Sequence, residues 1–525
     1  MARYFGLKRI INHYPIYLFL FPLEICLLPI LSNLGQISFI DVIRPLLILA
    51  FSNVMLCAIL WTINKNVYRA GYLSFIFFAF MFFFGYLISL INSILNFETT
   101  IISTLYIFTC WVCLFFFLAS AAFWKKITKN ITKSLNLIMV VLLIPAFGQT
   151  IFYLARNIHF DFPKQPLDDV LVAKPADQYP DIYLIVLDSY GQQEVLADIY
   201  GVNNKDFLSF LSKNGFYIAK DSRSNYTKTH LSMMSILNFE YLDAWNPPEN
   251  PSNNRDYIVG LLNNNYLFPL LKSYGYEITA LGSGFAFTEF KTADTYISNN
   301  IGENDLEKLI FNNSIMGVFF PRMINSYESY RQELLTTFNN LSDLHETSTP
   351  KFVIAHILLP HPPFVFDQNG EAVEPNRVFS LRDGSDYEGT KEEYLKGYGS
   401  QLLYTNTLVK ETITKILANS NRQPIIIIQG DHGPGAYLDW ASKDNTCLWE
   451  RTGILNAYLV PDEIRDDLYP AISPVNSFRL ILSHYFNSNL RPLKDKSFFS
   501  SHINEASLID ITTEIDLKVN CPSNP

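Results

Sequence analysis

Two kinds of hydrophobic run occur along this chain, and they differ in length. Within the first 156 residues the apolar stretches are long, near 14–33, 39–62, 70–92, 100–123 and 134–155. Each reaches the ~20 residues a helix needs to cross a bilayer. Beyond residue 180 the runs are short and bounded by turn formers. Tyr183 to Leu187 leads into Asp188 and then Gly191; Ile425 to Ile428 leads into Gly430-Asp431-His432-Gly433. A short continuous apolar run predicts a strand buried on both faces, the kind found in parallel α/β sheets. Strands are predicted at 182–188, 216–219, 276–281, 352–356, 424–429 and 454–460, with helices near 204–213, 255–274 and 390–419. Gly215 is placed as a helix C-cap. The alternation predicts a mostly parallel sheet flanked by helices. The expected fold class is therefore a multi-pass α-helical membrane domain plus an α/β ectodomain. The expected boundaries are 1–156 for five transmembrane helices, 157–180 for a linker carrying Pro163, Pro166, Pro175 and Pro180, and 181–525 for the ectodomain.

Charge sharpens this division. Through residue 160 there are 11 Lys and Arg against 3 Asp and Glu, although the whole chain carries −9. Arg3, Lys8 and Arg9 precede the first span, Lys65 and Arg69 follow the second, and Lys125, Lys126, Lys129 and Lys133 follow the fourth. The loops near 34–38 and 93–99 have no Lys or Arg. By the positive-inside rule the N-terminus is cytoplasmic, and five crossings put the ectodomain outside. The first span has the length of a signal peptide, but no small-residue cleavage site precedes the next span. The acidic ectodomain lacks the basic footprint of nucleic-acid binding. Glu24, Asp41 and Arg44 lie in or beside spans, where charges are functional candidates by default. Asp41 and Arg44, at i, i+3, also fit a local ion pair; Glu24 fits a position facing headgroups or a substrate groove. Cys110 and Cys113 sit inside an apolar helix, where packing is the expected role. A disulfide between Cys447 and Cys521 would suit an oxidising compartment.

The candidate chemistry collects where predicted strands end, the place where open α/β sheets bind ligands. Asp188, Asp431 and His432 offer oxygen and imidazole ligands of the kind that suit Zn²⁺ or Mn²⁺. The loop from Asp221 to Leu237 is dense in hydroxyls just before a helical pattern. Such a cluster serves as an N-cap, and the same position favours a phosphate at the helix N-terminus. A metal-bound threonine there can attack phosphorus. His356 belongs to an apolar strand and reads as a core histidine. His361, between prolines, is the better substrate contact.

Taken in order, Leu187-Asp188-Ser-Tyr, Thr229-x-x-Ser232, Pro360-His361-Pro-Pro-Phe364 and Gly430-Asp431-His432-Gly433 make the ectodomain resemble the sulfatase-like branch of the alkaline-phosphatase superfamily. Lipoteichoic-acid synthases and phosphoethanolamine transferases are the nearest in character, and they too join five membrane spans to an extracellular catalytic domain. The resemblance covers most of 180–490. It implies that Asp188, Thr229, Asp431 and His432 bind one divalent ion (Mn or Zn, with Mg or Ca also compatible) and that Thr229 is the nucleophile. Thr227 and Ser232 compete for that role. His361 would contact the substrate phosphate or the leaving group, and Arg223 is a weaker candidate for a phosphate clamp.

The departures narrow the activity. Sulfatases carry a cysteine or serine followed by x-Pro-Ser-Arg, which matures into their nucleophile, and no such stretch occurs here. Two-metal relatives often place an Asp pair on the first strand, whereas Ser189 follows Asp188 here. Lipoteichoic-acid synthases have Glu where Asp188 stands. His484 lies in a predicted helix, and His502 has no recognisable motif around it. The leading expectation is transfer of a phosphoglycerol- or phosphoethanolamine-type group from a membrane phospholipid to a glycan or lipid acceptor of the cell envelope. It proceeds through a phospho-threonine, in a bacterial inner-membrane protein with its catalytic domain outside. The alternatives are a phosphodiester, phosphate or sulfate-ester hydrolase of the same superfamily, and a catalytically silent envelope-binding protein.

Overall fold

The computed structural model describes residues 14–32, 39–95, 100–123, 129–157, 179–245, 251–299, 304–320, 323, 327–344, 349–377, 379–486, 490–501 and 507–522. The expected linker lies almost wholly outside this set, as do His502 and the Arg3, Lys8 and Arg9 that precede the first span. The chain divides into two compact units. One comprises residues 1–160 together with 302–326, and the other comprises 161–301 and 327–525.

The first unit is helical. The helices Ile43–Asn64, Ile101–Phe123 and Lys129–Asn157 are each long and apolar enough to cross a membrane. The other two expected spans differ from this pattern. Tyr17–Ser32 has 16 residues, about 24 Å at the usual helical rise, which is less than the ~30 Å hydrocarbon core. The third expected span is two helices, Val67–Phe82 and Phe84–Leu95, bent by 46°. Counting the bent pair as one crossing gives up to four spans by length and composition. The bend coincides with a contact from far along the chain. The Gly85 N–H donates to the carbonyl of Asn313 (2.9 Å) instead of continuing the ladder. A Cβ at position 85 would lie 2.7 Å from the Asn313 backbone, so only glycine admits this approach.

Asn313 belongs to the 302–326 segment, whose helices Asp305–Asn312 and Ile315–Phe319 pack with the N-terminal ones. Phe319 stacks on Phe84 and meets Phe108 edge-on. Arg44 forks onto Glu307, through Nε to Oε1 (2.7 Å) and Nη2 to Oε2, and Asn304 donates to the Asp41 carbonyl (2.9 Å). Glu24 is buried, and its Oε2 makes no hydrogen bond. Cys110 and Cys113 are free and exposed on their helix.

The second unit is built on a seven-stranded sheet. Its strands are β1 (Ile182–Leu187), β2 (Tyr217–Ile218), β3 (Glu277–Leu281), β4 (Thr295–Ile297), β5 (Lys351–Ile357), β6 (Ile425–Gly430) and β7 (Asn456–Leu459). Their order is β2-β7-β6-β1-β5-β3-β4. β1 runs parallel to both β5 and β6, while β7 runs antiparallel to β6 and to β2. Every residue of β1, β5 and β6 is buried, as their unbroken apolar runs require. Each predicted strand is present; β4 and the small hairpin Phe498–Ser500 with Leu508–Asp510 carried no clear sequence signal. The helix expected near 255–274 is two, Pro251–Asn263 and Leu267–Ser273. The helix Lys391–Asn419 starts with a capping box between Thr390 and Glu393 and buries its apolar stripe against the sheet core. Gly215 adopts φ +88°, the left-handed conformation a C-cap needs. A disulfide joins Cys447 to Cys521.

Candidate active site

The parallel register of β1 and β6 sets Leu187 opposite Gly430. The residues that follow, Asp188 on one strand and Asp431 and His432 on the other, therefore leave the sheet side by side. One ligand atom from each of these three residues lies within 4.8 Å of the others. Ser189 takes a left-handed turn (φ +64°), which directs its N–H to Asp431 Oδ1 (3.1 Å) and its hydroxyl to Asp188 Oδ1 (3.0 Å). Gly433 is required where it stands, because a Cβ there would lie 2.1 Å from the Glu450 carbonyl oxygen.

Thr229 opens the helix Thr229–Asn238, all of whose residues are buried. Its Oγ1 lies 3.1 Å from His432 Nε2. Of the competing hydroxyls, Ser232 donates to the Tyr226 carbonyl (3.2 Å). Thr227 is buried with its hydroxyl unpaired and does not border the cavity, whereas Thr229 does. That cavity, of about 280 Å³, is also bordered by Asp188, His361, Asp383, His432 and Arg451. Arg223 is not among its walls. It lines a separate groove, where it donates to Gln192 (2.8 Å) and pairs with Asp516 (3.4 Å), so the structure corrects its expected placement beside the substrate.

Three side chains at the site went unrecognised in the sequence. His356, expected to be a satisfied core residue, accepts or donates at Nδ1 with Thr288 (2.8 Å), but its Nε2 has no hydrogen bond and faces Asp188 Oδ2 at 3.4 Å. Its signal was its place on β5, paired with Val186, two residues before Asp188. Asp383 and Arg451 form a buried pair (2.8 Å) on the cavity wall. Neither stands in a recognisable motif.

The electrostatics follow from burial among mixed charges. Burial pushes the Asp188 carboxyl up, but His361, His356 and His432 outweigh it and hold the group well below the usual carboxylate range. Burial lowers His432, and the charge of Arg451 lowers it further. Asp383 is pushed up by burial, then held below its ordinary value mainly by Arg451.

The donor set fits a divalent cation. Asp431 Oδ2 is fully buried, makes no hydrogen bond and lies 3.2 Å from His432 Nε2. A carboxylate oxygen in that condition is costly unless a cation meets it. Nδ1 of His432 faces the Gly433 carbonyl (3.0 Å), which can only accept; Nδ1 therefore carries the proton and the Nε2 lone pair points into the cluster. Two carboxylates and one neutral imidazole suit a hard or borderline ion.

The sulfatase family's sequence model matches residues 180–461. No curated protein sequence matches significantly. Among solved structures, the chain is similar to the C-terminal periplasmic domain of Escherichia coli EcEptC in complex with Zn, at 15% identity over 67% of this chain and 99% of that one (TM-score 0.44). It is also similar to the integral membrane lipooligosaccharide phosphoethanolamine transferase A of Neisseria meningitidis, at 12% identity over 91% and 97% (TM-score 0.40). A third similarity is to a putative sulfatase, yidJ, of Bacteroides fragilis, at 15% identity over 65% and 85% (TM-score 0.41). The matched region spans more than half of the chain and contains Asp188, Thr229, Asp431 and His432, so this protein belongs to the sulfatase family of the alkaline-phosphatase superfamily and is a membrane enzyme.

Proposed function

We propose that this enzyme transfers a phospho-substituted headgroup, of the phosphoethanolamine or phosphoglycerol type, from a membrane phospholipid to a glycan or lipid acceptor of the cell envelope. The observation that carries this reading is the Thr229 hydroxyl, held at a helix start 3.1 Å from His432 beside two buried carboxylates. A sulfatase nucleophile matures from cysteine or serine, and threonine takes its place here, which favours direct attack on phosphorus.

In this reading Asp188, Asp431, His432 and Thr229 hold one divalent ion. Such an ion, when bound, would offset the developing oxyanion charge and favour an ionised threonine. The Thr229 hydroxyl gives up its proton as Oγ1 forms the new P–O bond and the bond to the diacylglycerol oxygen breaks; that oxygen takes up a proton and leaves as diacylglycerol, and a phospho-threonine carrying the headgroup remains. The acceptor alcohol then takes the phosphoryl group and restores Thr229. His361, on the cavity wall with Nδ1 against the Pro362 carbonyl (2.5 Å), contacts the phosphate or the leaving oxygen. The cavity volume of about 280 Å³ suits a headgroup rather than a whole lipid. We place the protein in a bacterial inner membrane with its N-terminus cytoplasmic, on the strength of the loop charges.

The test is intact mass spectrometry of the full chain in vesicles of mixed bacterial phospholipids with Mn²⁺ or Zn²⁺. A headgroup-sized adduct that disappears in Thr229→Ala is the expected result. Lipid cleavage with no adduct and no acceptor product would favour the hydrolase. Absence of both lipid turnover and metal binding would overturn the transferase reading.

A further inference from the structure

Arg451 is 1% exposed, yet it borders the cavity. We propose that Arg451 is the clamp for the tetrahedral oxyanion on which Thr229 acts; the proposal rests on the phosphoryl-transfer reading only in naming phosphate as that oxyanion.

The guanidinium is held on every side. Its Nε donates to the Thr227 carbonyl (3.0 Å), and Nη1 donates to Asp383 Oδ2 (2.8 Å) and to the Gly433 carbonyl (3.1 Å). Tyr394 donates to the other oxygen of Asp383 (2.6 Å), so that carboxylate is fixed in turn. The Trp440 ring lies 5.1 Å from the guanidinium carbon, within cation–π range. The short helix Leu448–Thr452 carries the residue, and the disulfide at Cys447 ties down its start. Such a group loses little freedom on binding an anion, which is what a planar fork offers over a lysine.

The donors that remain lie on Nη2. One Nη2 N–H meets His432 Nε2 at 3.1 Å, and a guanidinium has one further N–H on that nitrogen. His432 Nε2 has a single lone pair, which the Thr229 hydroxyl also faces at 3.1 Å. When that lone pair holds a cation it is no longer an acceptor for either group. Nη2 and the threonine oxygen are then both free to engage a substrate, one through its oxyanion and one through its phosphorus. Cation and oxyanion should therefore bind with positive coupling, and by linkage each should raise the affinity for the other. A purely structural Arg451, present only to offset Asp383, predicts no such coupling.

Calorimetry on the full chain in detergent decides between these roles, with Zn²⁺ titrated first and then inorganic phosphate or sulfate as probes. The wild type is expected to bind phosphate at least tenfold more tightly once Zn²⁺ is loaded. Arg451→Gln should lose that gain without any loss of Zn²⁺ affinity, since the His432 lone pair is then free of the Nη2 donor. Arg451→Lys, which keeps the charge but not the fork, should lose most of it at an unchanged melting temperature, and it serves if the glutamine variant does not fold. Unchanged phosphate affinity in a folded variant overturns the proposal. So does a parallel fall in Zn²⁺ affinity, which would make Arg451 a support for the metal ligands. If sulfate binds with coupling and phosphate does not, the clamp stands and the phosphoryl-transfer reading falls.

Discussion

The strand Ile425–Gly430 and the helix Ile101–Phe123 have similarly apolar sequences and opposite surroundings. Every residue of the strand is buried. In the helix, none of the most apolar window is, and Ile101, Tyr106 and Phe117 are each more than 70% exposed. The same kind of residue covers a protein core in one unit and presents a face suited to lipid in the other. The polar groups differ too. In the helical unit the buried amides are satisfied, although the Glu24 carboxylate is not: Asn53 donates to the Leu18 carbonyl (3.0 Å) and accepts from Ser74 (2.6 Å), while Asn136 bridges the backbone of Tyr14 and Tyr17. At the carboxyl ends of the central strands, ionised and ionisable groups are packed against one another with an oxygen left over. Hydrogen bonding that is merely sufficient holds a scaffold together; a surplus of unmet charge marks a place for a ligand.

Removing charge should therefore have effects that differ sharply with place. The largest is expected at Asp431. Asp431→Asn should weaken Zn²⁺ binding on the order of 100-fold or more, since loss of even an outer-shell partner costs ~10–100-fold. The metal-free protein should at the same time melt higher, because the repulsion between Asp188 and Asp431 is relieved. Calorimetry and thermal melts read the two signs separately; a lower metal-free melting temperature would show that Asp431 stabilises the empty site, as the paired groups of the helical unit do theirs.

An intermediate effect is expected at Glu450, which is not one of the candidate metal ligands but is fully buried. Burial pushes its carboxyl up to about 8 from an ordinary value of 4.5, despite bonds from Tyr200 and the Tyr437 N–H. A folded-state value above the unfolded one means stabilisation that is complete below 4.5 and is lost as pH rises through about 8. The wild type should thus lose melting temperature across that window, and Glu450→Gln should flatten the slope. An equally steep slope in the variant would show that the carboxyl is ionised throughout.

The smallest effect is expected at Arg44, the ion pair of the helical unit. Its side chain is 54% exposed, so Arg44→Ala should cost roughly 0.2–1 kcal/mol, as exposed pairs do. A melting shift in detergent as large as that of the buried charges would remove the distinction between the two regions.

Much of this was legible in the order of residues. Short apolar runs ending in Asp188 and in Gly430-Asp431-His432-Gly433 announced parallel strands with candidate ligands at their ends, because burial on both faces demands unbroken apolar sequence. Thr229 was legible as a hydroxyl at a helix start, though Thr227 and Ser232 looked alike until the backbone turned each a different way. Long apolar runs announced membrane helices, but the bend at Phe83 was not readable, because it coincides with a contact to the Asn313 carbonyl more than 200 residues away. Nor was the packing of residues 302–326 with the N-terminal helices, which depends on pairings such as Glu307 with Arg44.

Local chemistry thus determined which residues make strands, which cross or line a membrane, and which turns present Asp188, Asp431 and His432. Tertiary structure alone decided that His356, Asp383 and Arg451 join them and that Arg223 does not. A side chain's role as ligand, clamp or bystander depends on what lies within ~3–4 Å of it, and for residues hundreds of positions apart only the folded sheet sets that distance.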